Sequence, residues 1–245
     1  MLIEQIRRKM IDLGLEGMLK SFDDQMRLPN FRDLSFEERV GNLLDHEASF
    51  REDRRLRRLL KLAKLREQAC LEDVDYSVSR GIDKSYIATL SGCNWIGKGQ
   101  NLLITGPTGV GKTWLACAFG NQACRRGYKT RFYRLPLLLE ELAISHHDAT
   151  FTKKLNQLSK LDLLILDDFG LSQLSSQTRR DFLELVEARS GLRSTIVTTQ
   201  LPVSKWHDFL SKGNSTVADA ILDRLVGNAH RLDLKGESLR QKALG

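Results

Sequence analysis

The sequence predicts an α/β protein, a parallel sheet flanked by helices and preceded by a small all-α region. Three observations carry that expectation. From Asn101 onward, short apolar runs alternate with helix-compatible stretches, the pattern of strands joined by helical crossovers. The run Leu161-Asp162-Leu163-Leu164-Ile165-Leu166-Asp167-Asp168 reads as a buried strand ending in two carboxylates, and such strands belong to parallel sheets covered on both faces. Between one apolar run and one helical stretch lies Gly-Pro-Thr-Gly-Val-Gly-Lys-Thr, residues 106–113. It fills every position of the phosphate-binding pattern G-x-x-x-x-G-K-[ST] in the strand–loop–helix context that the pattern needs.

Along the chain, residues 1–70 are expected to form the helical region, 71–100 a connector and 101–245 the sheet domain. Ile3, Ile6 and Met10 mark a first amphipathic helix. Gly14 and Gly17 interrupt it, Met18, Leu19 and Phe22 resume it, and Pro29 interrupts again. Ser35-Phe36-Glu37-Glu38 is a capping box that opens a long helix through Val40, Leu43 and Leu44. Strands are expected at 101–105, 130–134, 162–167, 194–199 and 230–234. Helices are expected near 112–125, 136–144, 177–188 and 217–225. No internal repeat or low-complexity segment is apparent.

The chemistry explains the residue types of the loop. Gly106, Gly109 and Gly111 let backbone N–H groups turn inward around a phosphate, and the helix that follows points its positive dipole end at the same anion. Lys112 is expected to reach the β- and γ-phosphates, and the Thr113 hydroxyl to ligate Mg²⁺. The expected nucleotide contacts are therefore Gly106, Pro107, Thr108, Gly109, Val110, Gly111, Lys112, Thr113 and Trp114, with Trp95 and Ile96 of the connector beside the base. Ligands of parallel sheets sit at the carboxyl ends of the strands. Asp167 is thereby placed to hold Mg²⁺ and Asp168 to orient the attacking water. These residues imply a nucleoside-triphosphate-binding protein and a hydrolase.

Composition narrows the remaining classes. Cys70, Cys93, Cys117 and Cys124 have no C-x-x-C spacing, so neither a zinc site nor a disulfide framework is indicated. No apolar run approaches the roughly 20 residues of a membrane span, and the first 26 residues do not read as a signal peptide. A cytoplasmic, reduced setting is expected. The net charge of +7 permits contact with nucleic acid, and its distribution matters more than its sum. Between positions 51 and 66, eight basic residues face two acids: Arg51, Arg54, Arg55, Arg57, Arg58, Lys61, Lys64 and Arg66. Leu56, Leu59, Leu60 and Ala63 interleave at helical spacing, so one face packs and the other presents a cationic stripe. That stripe is either a DNA-phosphate contact or a solvated helix face.

The order of the elements resembles the AAA+ ATPases. One strand separates the phosphate loop from the Asp-Asp strand, and the polar-tipped strand ending Thr198-Thr199-Gln200 follows. The resemblance gives Gln200 the place of the polar sensor residue between the two motif strands. It makes Arg224, in Ile221-Leu222-Asp223-Arg224-Leu225, an arginine finger offered to a neighbouring subunit; an ordinary Asp–Arg surface pair explains the same letters. Lys153 and Lys154 precede the Asp-Asp strand, where initiator-type members carry an extra DNA-contacting helix; they are either secondary DNA contacts or a solvated pair. Nearly the whole chain resembles the IstB family of transposition helper ATPases, related to DnaC-type helicase loaders. The most specific segments are Thr199-Gln200-Leu201-Pro202-Val203-Ser204-Lys205-Trp206 and Leu234-Lys235-Gly236-Glu237-Ser238-Leu239-Arg240.

The resemblance implies a protein that binds ATP and Mg²⁺, binds duplex DNA, self-assembles on it, and cooperates with a transposase; the stripe offers no obvious set of base-reading side chains, so little sequence preference is expected. Asp168 stands where most AAA+ enzymes have Glu, which implies slow hydrolysis with ATP as an assembly signal. The chain stops at Gly245, so no C-terminal lid is expected, and Arg240 is either a phosphate-reaching residue or an exposed tail arginine. Alternatives are a replicative helicase loader and, from a different class, a P-loop small-molecule kinase. A DNA-binding protein with a vestigial nucleotide site is a further one.

Overall fold

The computed structural model describes residues 2–31, 33–76, 81–211 and 215–239. The chain folds as two compact units, Met1–Arg58 and Leu59–Gly245. Among the described residues, no helix is long and apolar enough to cross a membrane.

The first unit is helical: α1 (Leu2–Asp12), α2 (Glu16–Arg27) and most of α3 (Phe36–Ala63). Gly14, in a left-handed conformation at φ 67°, makes the turn between α1 and α2. The capping box forms as its letters require. The Ser35 N–H donates to Glu38 Oε2 at 2.8 Å, and the Glu38 N–H donates back to Ser35 Oγ at 3.2 Å. Gly17 lets α2 lie directly on α3, since a Cβ there would stand 2.6 Å from the His46 carbonyl and 2.7 Å from Phe50 Cβ. Beside this crossing the Glu47 carboxylate is buried, which would raise its pKa. The Met18 N–H and the Arg51 guanidinium outweigh that and hold it below the usual range. Gly17→Ala is expected to cost about 1–3 kcal/mol through overpacking, read as a lower urea midpoint for loss of helical signal. An unchanged midpoint would contradict so close a crossing.

The second unit begins within α3. Leu59 and Ala63 are buried there, and Arg131 donates to the Leu62 carbonyl at 2.7 Å. The expected boundary near residue 70 thus falls inside this unit. After α4 (Lys84–Ser91) and α5 (Asn94–Gly97) come five strands: β1 (Asn101–Thr105), β2 (Thr130–Arg134), β3 (Leu163–Phe169), β4 (Ser194–Thr199) and β5 (Ala229–Asp233). All pair in parallel, in the order β2-β3-β4-β1-β5. The crossovers are α6 (Lys112–Arg125), α7 (Leu135–His147) with α8 (Phe151–Ser159), α9 (Ser176–Glu187), and α10 (Trp206–Leu210) with α11 (Ser215–Val226).

Alternate strand residues feed two cores. Leu102, Ile104, Ile165 and Ile196 pack with α6, whereas Leu103, Leu164, Leu166 and Val197 pack with α7, α9 and α11. Burial on both faces is why these strands read as continuous apolar runs. The expected strands at β1, β2 and β4 coincide with the observed ones. β3 extends two residues past Asp167, and β5 starts and ends one residue earlier than expected. Periodicity alone did not place α8, which carries Lys153 and Lys154 where the AAA+ resemblance implied an extra helix. Trp95 and Ile96 are corrected: both are buried, and their carbonyls accept from the Ser194 hydroxyl at the amino end of β4, opposite the phosphate loop. They are core residues rather than neighbours of a base.

Candidate nucleotide site

Strand β1 ends at Thr105, and residues 106–111 carry the chain over its carboxyl end into α6, whose first residue is Lys112. Glycine is required at Gly109, which lies at φ 82°, where a Cβ would fall on the Ser238 hydroxyl. Gly106 is held as closely, against the Leu234 carbonyl. The segment after β5 therefore lies along the phosphate loop. The Leu234 N–H donates to the Thr105 carbonyl at 2.8 Å, and the Leu239 N–H donates to the Gly109 carbonyl at 3.0 Å. This is where the Leu234–Leu239 part of the second family-specific segment goes; Arg240 lies outside the described residues.

Pro107 and Thr108 are exposed, while the Val110 side chain is buried in the core and leaves only its backbone to face a phosphate. Trp114 is half-buried against the core cluster of α6. Lys112 Nζ donates to the carbonyls of Gly106 and Pro107 at 2.8 and 2.6 Å, folded over the loop that would cradle an anion. Thr113 Oγ1 donates to both oxygens of Asp167, at 2.9 and 3.1 Å.

At the carboxyl end of β3 the two acids diverge. Asp167 is fully buried and accepts from the Thr198 hydroxyl of β4 as well as from Thr113. Burial raises its pKa, and the neighbouring Asp168 charge adds to this, against the two hydroxyl donors. A buried carboxylate beside a threonine hydroxyl is an oxygen donor set that suits a hard cation. Among the described residues, no cluster of three or more His, Cys, Asp or Glu side chains forms a cage. Two protein oxygens suit Mg²⁺, which takes one or two protein ligands and completes its shell with phosphates and water.

Asp168 faces the other way. The β3–β4 register shifts between Leu166 and Phe169, and Asp168 adopts φ 64°, a left-handed conformation costly for a non-glycine residue. The bulge brings its carboxylate to the cavity, where Arg134 Nε, at the end of β2, donates to it at 2.9 Å. The Asp168 N–H is held by Thr198 Oγ1 at 3.3 Å, and Thr199 Oγ1 donates to the Phe169 carbonyl at 2.6 Å. One hydroxyl, that of Thr198, thus links both acids.

A cavity of about 430 Å³ is bounded by the phosphate loop, Lys112, Thr113, Asp168, Arg134 and the tip of β4. Gln200, exposed, lines it. The structure therefore brings together the loop, Lys112, Thr113, Asp167, Asp168 and Gln200. Arg224 is elsewhere. Asn101, the first residue of β1, donates to the Arg224 and Leu225 carbonyls, so this arginine lies at the end of the sheet opposite the loop, paired with Glu187 at 2.9 Å. Three residues at the site escaped the sequence reading in this role: Thr198, Arg134 and Arg66.

Of the other basic residues, Arg51 pairs with Glu47 at 2.6 Å and Arg54 with Glu16 at 3.5 Å. Arg55, Arg57, Arg58, Lys61 and Lys64 are exposed. On α8, Lys153 is exposed and Lys154 Nζ donates to the Glu141 carbonyl at 3.1 Å.

This strand order, with the phosphate loop on β1 and the two acids on β3, defines an ATP-binding protein of the AAA+ class. The chain belongs to the family described as IstB-like ATP binding protein, which it matches over residues 8–244. It is 49% identical over 233 residues to the insertion-sequence ATP-binding protein y4pL of Sinorhizobium fredii, covering 95% of this chain and 94% of that one. It is 50% identical over 205 residues to a protein named as the ATP-binding protein of insertion sequence IS1162 from Pseudomonas fluorescens, covering 83% and 89%. Among solved structures, DnaI superposes with a TM-score of 0.59 at 25% identity, over 73% of this chain and 94% of that one. The AMPPCP-bound DnaA of Aquifex aeolicus shares the fold, at TM-score 0.58 and 22% identity over 74% and 54%.

Proposed function

We propose that the protein is a DNA-dependent ATPase that assembles on duplex DNA with ATP and assists a transposase. The observation that carries this is the cavity lined by Lys112, Thr113 and Asp168, with the buried Asp167 bonded to the Thr113 hydroxyl, in a family of insertion-sequence ATP-binding proteins. The loop N–H groups and the amino end of α6 bind the phosphate chain, and Lys112 leaves its two loop carbonyls for the β/γ-phosphates. Thr113 and Asp167 would hold Mg²⁺, which supplies charge neutralisation on the phosphates. Asp168 orients the attacking water once it leaves Arg134, and Gln200 faces the γ-phosphate end. Arg224, remote from the loop of its own chain, completes the site of a neighbouring copy, so ATP lies at a subunit interface. Glu187 holds the finger until that copy arrives.

The basic side chains Arg51, Arg54, Arg55, Arg57, Arg58, Lys61 and Lys64, with Lys153 and Lys154 as secondary contacts, meet DNA phosphates. Titration of duplex DNA at several salt concentrations, with ATP and with ADP, tests this. Replacing Arg54, Arg55, Arg57 and Arg58 together by Ala is expected to weaken binding and to lower the slope of log K against log salt by about 0.9 per lost contact. An unchanged affinity and slope would move the DNA site elsewhere, and equal binding with ATP and ADP would remove the nucleotide's role in assembly. A second reading is a helicase loader, the alternative that the resemblance to DnaC-type proteins leaves open. Under it, a replicative helicase rather than a transposase would stimulate ATP turnover.

A further inference from the structure

Arg66 lies outside every nucleotide-binding motif, and helical periodicity groups it with the basic residues before it. The structure separates it from them. Lys64 takes a left-handed conformation, φ 47°, just after α3 ends at Ala63. Leu65 then lies on Gly120 of α6, where a Cβ would stand 2.8 Å from Leu65 Cδ2, so the missing side chain at 120 makes the room. Next to it the Cys117 thiol, pushed up by burial, accepts from the backbone N–H groups of Glu67 and Arg66. The backbone at 65–67 is thus pinned to α6 from two sides, and the Arg66 side chain enters the phosphate-loop cavity. Its Nη1 stands 3.9 Å from Asp167 Oδ2, and its Nε 3.8 Å from Glu67 Oε1.

Both contacts are too long for hydrogen bonds, and the side chain is 44% exposed. Asp167 already has two hydroxyl donors, Thr113 and Thr198, so it does not need Arg66 as a fixed partner. A loosely held guanidinium in a cavity built for a triphosphate has a better use, because its planar fork matches phosphate oxygens.

We propose that Arg66 reads the γ-phosphate of the nucleotide bound in its own chain: it stands beside Asp167 without nucleotide and turns to a γ-phosphate oxygen when ATP is present. This rests on the nucleotide-site reading given above. ADP offers no oxygen at that position, so Arg66 makes the site prefer ATP.

Dissociation constants for AMPPCP and ADP, each with Mg²⁺, measured by calorimetry on the full chain test this for wild type, Arg66→Ala, Arg66→Lys and, as a control from the exposed face of α9, Arg180→Ala. Arg66→Ala is expected to weaken AMPPCP by roughly tenfold to a hundredfold, the range for a charged hydrogen bond, and ADP by less than about twofold. Arg66→Lys, which keeps the charge and loses the fork, is expected to fall between, and Arg180→Ala to match wild type. An unchanged AMPPCP-to-ADP ratio in folded Arg66→Ala overturns the proposal. If that variant does not fold, an unchanged ratio in Arg66→Lys overturns it equally. Wild-type protein that binds neither nucleotide would sink the site reading itself, whereas wild-type binding with an unmoved ratio sinks only the role of Arg66.

Discussion

Lys112→Ala is expected to lower ATP affinity by roughly a hundredfold or more, which puts binding beyond ordinary working concentrations. The loop itself fixes the position of this cation, 2.8 and 2.6 Å from the Gly106 and Pro107 carbonyls. Truncation leaves the β/γ-phosphates without this cation. Losing one member of a desolvated charge pair costs about 2–5 kcal/mol, and each 1.4 kcal/mol is about tenfold in affinity. The fold should survive, because Lys112 opens α6 at its exposed start while Leu115, Ala116 and Phe119 hold the helix in the core. Fluorescent-nucleotide titration with a circular-dichroism check measures both. Wild-type affinity in the folded variant would mean that ATP binds somewhere other than this loop.

Asp168→Asn is expected to act on the next step and spare this one. ATP should bind within about twofold of wild type, while phosphate release falls by about 10²–10⁴, the range for loss of a general base. The substitution keeps the shape of the side chain and its place in the bulge. What it removes is the negative charge that Arg134 meets at 2.9 Å. Since Asp168 and Arg134 are both partly exposed, the lost pair should cost stability no more than about 1 kcal/mol. Asp167→Asn makes the contrast, because it alters a buried carboxylate held by two threonine hydroxyls and should weaken Mg²⁺-dependent binding itself. Normal turnover in Asp168→Asn would remove this residue from the chemistry.

What the sequence made legible follows from what is local. The strands were readable because β1, β3 and β4 are buried on both faces, so residues 102–104, 163–166 and 196–197 at their centres are apolar. The phosphate loop was readable because each of its residue types answers to a backbone or charge requirement within eight positions. Contacts between distant segments were not. Thr198 looks like any β-branched strand former, and only the alignment of β3 with β4 shows its hydroxyl serving both acids. Arg134 ends a strand as a polar tip would, and nothing nearby in sequence names Asp168 as its partner. Arg66 was assigned to the basic stripe because the periodicity continues through it. The break is a left-handed lysine, a conformation that few non-glycine residues adopt and that sequence gives no means to foresee. Trp95 and Ile96 carried the opposite error, since aromatic and aliphatic side chains in a connector fit a base and a core equally well.

A mixing experiment tests most directly whether ATP is shared between subunits. Arg224→Ala keeps its own phosphate loop, Lys112→Ala keeps its own arginine, and each alone should hydrolyse ATP poorly. With Arg224 at the end of β1 opposite the loop, the two defects lie on different faces of one chain. Pairing the variants can therefore place an intact loop against an intact arginine. With duplex DNA and ATP, the mixture is expected to regain a substantial part of wild-type turnover, rising with total protein concentration. If the variants bind DNA and co-assemble yet no mixing ratio restores turnover, Arg224 does not act across an interface, and the shared-site account fails.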